Sequence, residues 1–294
     1  MILIVESGST KADWVVLDTD GVKCEFKTKG WNIMLLKESE MQARLNALTQ
    51  LVPFVNSISS VYFYTPGLAI QESVFSLQRV LQALFINVLI SIESDLLAAA
   101  RSVYSGTPLF VSILGTGSNT AFYDGEVLQQ TSPSLGYILG DEGSGAALGK
   151  DLLKAYLYHS LPKELYLSFS KSYSISKENV FRAVYAQEAP NRFLASYVPF
   201  LVAHKNHQFV KDLVRNQFDL YIKTHLKSNP VISDYPIAFV GSVAFLFKDV
   251  LSKLINNHML KLFCFSKSPI KGLLEYHIKE FKVLLIHISL YLCY

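Results

Sequence analysis

Short apolar runs closed by turn residues alternate along this chain with longer stretches whose apolar positions recur every three or four residues, and that alternation predicts an α/β fold. The opening reads as an antiparallel meander. An apolar strand at 2–5 is followed by the small polar turn Ser7-Gly8-Ser9-Thr10, then by a strand at 13–18. Asp20-Gly21 is a hairpin signal, and 22–28 alternates as a third strand. Met41, Leu45 and Leu48, spaced by four and three, predict a helix over about 37–51. A strand at 61–64 then ends at Pro66-Gly67, and a helix at 71–83, a strand at 88–92 and an Ala-rich helix at 96–104 follow.

At position 109 the opening pattern returns. An apolar strand at 109–114 leads to the turn Gly115-Thr116-Gly117-Ser118-Asn119. A strand at 120–123, the hairpin pair Asp124-Gly125 and a third strand at 126–129 come next. The two copies stand roughly a hundred residues apart and share architecture more than letters. Such a duplication predicts two similar domains facing one another, each offering one Gly/Ser/Thr loop: 1–106, and 107–294 with a last helix able to pack back on the first domain. Helices are expected at 151–157, 177–186, 192–202 and 209–225, and a strand at 236–240 runs into Gly241-Ser242-Val243-Ala244, with a helix towards Leu254. The end, 283–294, is apolar and uncharged but too short to cross a bilayer. It reads as a buried terminal helix or strand, or else as a non-native or frame-altered tail.

Composition narrows the function. A length of 294 residues suits two ordinary domains, and 50% hydrophobic residues supply their cores. Net charge is only +3 and the basic residues are scattered, which argues against nucleic acid as a partner. Mean hydropathy is positive, yet no uncharged apolar run reaches the ~20 residues of a membrane span. The start, Met1 to Val5, meets Glu6 without a basic region, and no secretory leader is expected from it. Cys24, Cys264 and Cys293 form no CxxC pair and no disulfide framework, so a reducing cytoplasm is expected.

Five places could carry chemistry. Loops rich in Gly, Ser and Thr let backbone N–H groups converge on an anion. Ser9, Thr10, Thr116 and Ser118 would add hydroxyls and Lys11 a positive charge, although either loop alone is also an ordinary hairpin turn. No GxxxxGK[ST] loop is present. Glu6, where the first strand ends, could hold Mg²⁺ through water or be a plain strand-end acid. Asp95, between a strand and a helix, could take a proton from an acceptor hydroxyl or simply cap that helix. The run Gly140-Asp141-Glu142-Gly143-Ser144-Gly145 places two carboxylates among glycines. It suits the hydroxyls of a polar ligand, or an acidic helix start. Small residues at 241–244 would admit a flat base or a tight strand-to-helix turn.

Together these motifs resemble the N-acetylglucosamine kinase and BadF/BadG/BcrA/BcrD-type ATPase family, within the actin-like, hexokinase and Hsp70 ATPase superfamily. The resemblance covers positions 1 to about 277. It rests on Glu6-Ser-Gly-Ser-Thr-Lys11, Ser94-Asp95, Leu114-Gly-Thr-Gly-Ser-Asn119, Gly136-Tyr-Ile-Leu-Gly-Asp-Glu-Gly-Ser144 and Val240-Gly-Ser-Val-Ala244 in this order. It implies two ribonuclease-H-like domains whose cleft closes over Mg²⁺, ATP and a sugar in a cytoplasmic enzyme. Ser7, Gly8, Ser9, Thr10 and Lys11 would form one phosphate loop, and Gly115, Thr116, Gly117 and Ser118 the other. Gly241, Ser242 and Ala244 would meet the adenosine. Asp95 matches the family's catalytic base and Glu6 its metal position, where many superfamily members carry Asp. Asn32, Asn119, Asp141 and Glu142 would face the sugar. The implied reaction is ATP-dependent phosphorylation of an amino sugar, N-acetylglucosamine or glucosamine, at the 6-hydroxyl, with a homodimer expected from the family. The alternatives are an ATPase acting as a conformational motor on a partner protein and a non-catalytic sugar sensor. No cysteine sits where the activator ATPases hold an iron–sulfur cluster, which counts against the motor.

Overall fold

The computed structural model describes residues 1–186 and 189–291, and the side chains of these through residue 280. It divides into two compact units, 1–103 with 269–294, and 104–268.

In the first unit, β1 (Ile2–Ser7), β2 (Lys11–Asp18) and β3 (Gly21–Lys29) form the expected meander. It is followed by α1 (Glu38–Asn46), β4 (Ser60–Thr65), α2 (Gln71–Leu84), β5 (Leu89–Ser94) and α3 (Asp95–Val103). The sheet order is β3-β2-β1-β4-β5. β1 runs antiparallel to β2 and parallel to β4, and β4 is parallel to β5. β1 is central and buried along its whole length, so Ile2 to Val5 read as an unbroken apolar run rather than an alternation. Trp14, Trp31 and Phe63 pack beside the sheet with centroids 5.7 Å apart. The C-terminal helix Ile270–Tyr291 lies against α3. Contact is close at Gly272, where a Cβ would stand 1.9 Å from the Ser102 carbonyl oxygen. The buried Tyr64 hydroxyl meets His277 Nε2 at 2.9 Å and accepts from Arg101 Nη1 at 2.7 Å. Burial, helped by the Arg101 charge, pushes His277 down to about 3, so it is neutral in this network.

The second unit carries β6 (Leu109–Leu114), β7 (Ser118–Tyr123) and β8 (Leu128–Gln130), then α4 (Gly136–Leu139), α5 (Gly145–Leu157), α6 (Lys163–Ser172) and α7 (Lys177–Tyr185). Next come α8 (Pro190–Ala195), α9 (Val198–Ala203) and α10 (Gln208–Tyr221), which widens into a π-helical segment, Ile222–Leu226. β9 (Pro236–Val240), α11 (Ser242–Leu246), α12 (Lys248–Asn257) and β10 (Lys261–Ser266) complete it. The sheet order β8-β7-β6-β9-β10 repeats that of the first unit, again with two antiparallel and two parallel pairings. The duplication read from the opening meanders therefore extends to both whole sheets.

Several elements differ from the sequence reading. The helix expected at 151–157 begins at Gly145, because Ser144 caps it by accepting from Ala147 N at 3.1 Å. The helix expected over 192–202 is two, since Pro199, near the start of α9, supplies no N–H. α6 and β10 have no counterpart among the expected elements; the apolar run of β10 is too short for its period to be read. The expected burial at 283–294 concerns side chains outside the described residues. Among the described residues no helix is long and apolar enough to cross a membrane.

Candidate active site

In the first unit the parallel pairings set Glu6 beside Tyr64, and Thr65 beside Ser94, so β1, β4 and β5 end together. Ligands of α/β sheets gather at such carboxyl edges. The turn after β1 is closed by Gly8 N donating to Lys11 O at 2.9 Å. Gly30 lies against it, since a Cβ there would fall 2.2 Å from Gly8 O, and Gly30 N donates to Thr10 O at 3.0 Å. Trp31 is pinned from two sides. Ser7 Oγ accepts from Trp31 N at 2.7 Å, and Thr65 Oγ1 donates to Trp31 O at 2.5 Å. The Ser7 hydroxyl is thus engaged inside the fold, at the start of the turn formed by Gly8, Ser9 and Thr10. Asn32 follows the pinned tryptophan. Its Oδ1 accepts from Met34 N at 3.2 Å, and that bond does not use the amide hydrogens.

Glu6 is buried and stands directly across from Asp13 on β2. Asp13, also buried, is held by Lys11 Nζ at 2.7 Å, with Lys27 Nζ at 3.4 Å. Burial first, then the charges of Asp13 and Asp95, push Glu6 up to about 7 against the opposing pull of Lys11. Asp95 opens α3, but the capping bond comes from Ser94 Oγ, which accepts from Leu97 N at 3.0 Å. Burial pushes Asp95 up to about 6, opposed by hydrogen bonds from the backbone N–H groups of Leu96 and of Asp95 itself. Three carboxylates thus share this edge. Asp13 escaped the sequence reading because one acid in a buried strand carries no local signature.

In the second unit the turn 115–117 is docked on the start of α5. Gly115 O accepts from Gly145 N at 2.8 Å, and Thr116 O accepts from Ala146 N at 3.1 Å. Asp141 adopts a left-handed φ of +60°, and its Oδ1 accepts from Ser118 N at 3.1 Å. Gly117 is pressed on the same carboxylate, where a Cβ would stand 3.0 Å from Oδ2. Burial raises the Asp141 pKa, with the Ser118 amide opposing it. Space remains above Gly115, where a Cβ would meet nothing within 4 Å, and the Ser118 hydroxyl is buried without a hydrogen-bond partner.

Gly241, with φ +121°, joins β9 to α11, and a Cβ there would fall 2.4 Å from Leu114 O. The parallel pairing of Ile113 with Val240 places 115–118 and 241–244 at one sheet edge. Ser242 is exposed, while Ala244 is fully buried and supports the turn from below. Asn119 Oδ1 accepts from Thr120 N at 2.9 Å and from Gln130 Nε2 at 3.3 Å, so its amide hydrogens face away from both. Glu142 Oε2 accepts from His225 Nε2 at 2.8 Å. His225, inside a long amphipathic stretch, gave no signal in the sequence beyond standing four residues after Tyr221. Among the described residues no three His, Cys, Asp or Glu side chains converge as direct metal ligands.

A duplicated five-stranded unit with a Gly/Ser/Thr turn at the edge of each sheet defines the actin-like ATPase fold of sugar kinases. Solved structures agree. A protein of Porphyromonas gingivalis named as a putative N-acetylglucosamine kinase is 35% identical, with a TM-score of 0.89 over 95% of this chain and 99% of that one. One of the same designation from Chromobacterium violaceum is 18% identical, with a TM-score of 0.66 over 94% and 98%. A ROK family glucokinase from Streptomyces griseus, in complex with glucose and AMPPNP, shares the fold at 14% identity, with a TM-score of 0.54 over 93% and 97%. No protein-family model and no curated protein matches the chain. The chain belongs to the N-acetylglucosamine kinase family.

Proposed function

We propose that this protein is an ATP-dependent amino-sugar kinase that phosphorylates N-acetylglucosamine or glucosamine at the 6-hydroxyl, built from two ribonuclease-H-like domains. The observation that carries the reading is Asp95. It is a carboxylate at the end of a parallel strand, relieved of capping duty by Ser94 and raised to about 6, near the pH at which a general base works best.

The residues fit the nucleotide. Gly115 has open space where a Cβ would stand, and the unpartnered Ser118 hydroxyl offers a buried donor. Gly8, Ser9 and Thr10 present the matching turn of the first unit, Lys11 adds charge, and Gly241 with Ser242 and Ala244 would support the adenosine. Glu6 fits Mg²⁺: a buried carboxylate whose neighbours Asp13 and Asp95 raise its pKa is relieved by a cation. Glu6 would hold the ion through water, and the ion would neutralise phosphate charge. The bound nucleotide supplies the phosphoryl group. Asp95 accepts the proton of the sugar 6-hydroxyl as that oxygen bonds to the γ-phosphorus and the bond to the bridging oxygen of ADP breaks. Asn32 and Asn119 donate to sugar oxygens, while Asp141 and Glu142 accept from sugar hydroxyls.

A sugar-panel assay with Mg-ATP tests this. ATP turnover should rise strongly on adding N-acetylglucosamine or glucosamine. Turnover indifferent to every sugar would overturn the reading and favour the conformational ATPase.

A further inference from the structure

The second unit holds its proposed sugar-facing groups with one helix face. Gln217, Tyr221 and His225, spaced by four, each bind a different part of that region. Gln217 Oε1 accepts from Gly143 N at 3.2 Å, and its Nε2 donates to Asp151 Oδ2 at 2.5 Å. The Tyr221 hydroxyl lies 3.4 Å from the carbonyl oxygen of Asn119. His225 Nε2 meets Glu142 Oε2 at 2.8 Å.

The π-helical segment is what allows three in a row. Four residues of α-helix overshoot one turn by about 40°, so an unbroken α10 would carry the third side chain round the axis. The wider turn at Ile222–Leu226, closed by Lys227 N donating to Ile222 O at 2.8 Å, drifts the other way and returns His225 to the face of Gln217. His225 is buried, and both of its ring nitrogens are engaged. Its Nδ1 stands 2.9 Å from Ser132 Oγ. A neutral ring donating from Nε2 to Glu142 and accepting the Ser132 hydroxyl proton at Nδ1 satisfies every partner. Glu142 then keeps Oε1 with no hydrogen bond from a described residue, a fixed acceptor for a ligand hydroxyl.

The geometry points to His225 as a positioning residue for acceptor recognition. It clamps Glu142 so that one carboxylate oxygen is presented to the sugar, a role that rests on the kinase reading above. A fixed carboxylate discriminates hydroxyl-bearing ligands more sharply than a mobile one, because no rotamer entropy is lost on binding.

The test uses the full chain with ATP and N-acetylglucosamine. His225→Ala should raise KM for the sugar about tenfold, the order expected for one hydrogen bond to a charged group. KM for ATP should stay within about twofold and kcat should change far less than the sugar KM. His225→Gln, whose amide can still donate to Glu142, should restore most of the loss, and Ser132→Ala should give a smaller shift in the same direction. Hydrogen exchange of the protein without ligands provides a readout independent of activity. Peptides spanning 140–144 should exchange faster in His225→Ala and return towards wild type in His225→Gln. An unchanged sugar KM in His225→Ala, or equal loss in the Gln and Ala variants, would overturn the clamp. If wild type phosphorylates no sugar, the kinase reading fails, and unchanged exchange at 140–144 would still overturn the clamp.

Discussion

Replacing Asp95 with Asn should abolish phosphoryl transfer and at the same time make the protein more stable at neutral pH. Burial raises the Asp95 carboxyl from 3.8 to about 6. The fold therefore holds that proton more tightly than the unfolded chain does. Stability contributed by the protonated form is present below about pH 4, declines as pH rises from about 4 to 6, and is absent at neutral pH. A shift of roughly two units corresponds to about 3 kcal/mol at most. Asp95 keeps partial solvent contact, so about 1–2 kcal/mol is the working figure. The Asp95→Asn variant carries no charge at this position and escapes the cost. Its Tm should exceed wild type by about 2–5 °C at pH 7.5, and the difference should shrink towards zero near pH 4. Thermal melts of both proteins across pH 4–8 without nucleotide, run beside a sugar-dependent ATP turnover assay, measure both effects. An Asp95→Asn variant less stable than wild type at pH 7.5, or a Tm difference that ignores pH, would refute the reasoning.

Three further outcomes are expected. kcat/KM for the sugar should fall about tenfold per pH unit below about pH 6 as Asp95 takes up its proton, and a flat profile from pH 5 to 7 would exclude Asp95 as the base. Gly241→Ala should cost about 3 kcal/mol or more, because φ is +121° and the added Cβ would stand 2.4 Å from Leu114 O; a melt within a degree of wild type would contradict the assigned turn. Glu6→Gln should raise the Mg²⁺ concentration needed for half-maximal turnover several-fold while relieving repulsion from Asp13 and Asp95, which a Mg²⁺ titration and a melt would show together.

The sheets were legible because their strands announce themselves locally. A meander with Asp-Gly turns occurs twice, and the period-two pattern of 22–28 needs no tertiary information. β10 was hidden because a short run around Phe263 and Phe265 is compatible with either helix or strand until β9 is in place beside it. The break between α8 and α9 is readable in principle at Pro199. Of the candidate site, the glycines were the clearest signal. Gly117 and Gly241 stand where a Cβ would strike a neighbour, although only the structure identifies that neighbour as Asp141 or Leu114. Gln217 and His225 were invisible because their partners lie outside any local motif: His225 and Glu142 are 83 residues apart, and Gln217 and Asp151 are 66. Capping shows the converse. Ser94 and Asp95 are both good cap residues, and only the observed bond to Leu97 N assigns the duty to Ser94.

The most direct measurement is the ³¹P NMR spectrum of wild-type protein incubated with Mg-ATP and N-acetylglucosamine, with the Asp95→Asn variant in parallel. The account predicts a sugar 6-phosphate signal growing in step with ADP for wild type and neither signal for the variant. ADP accompanied only by inorganic phosphate, or sugar phosphate formed equally well by the variant, would contradict it.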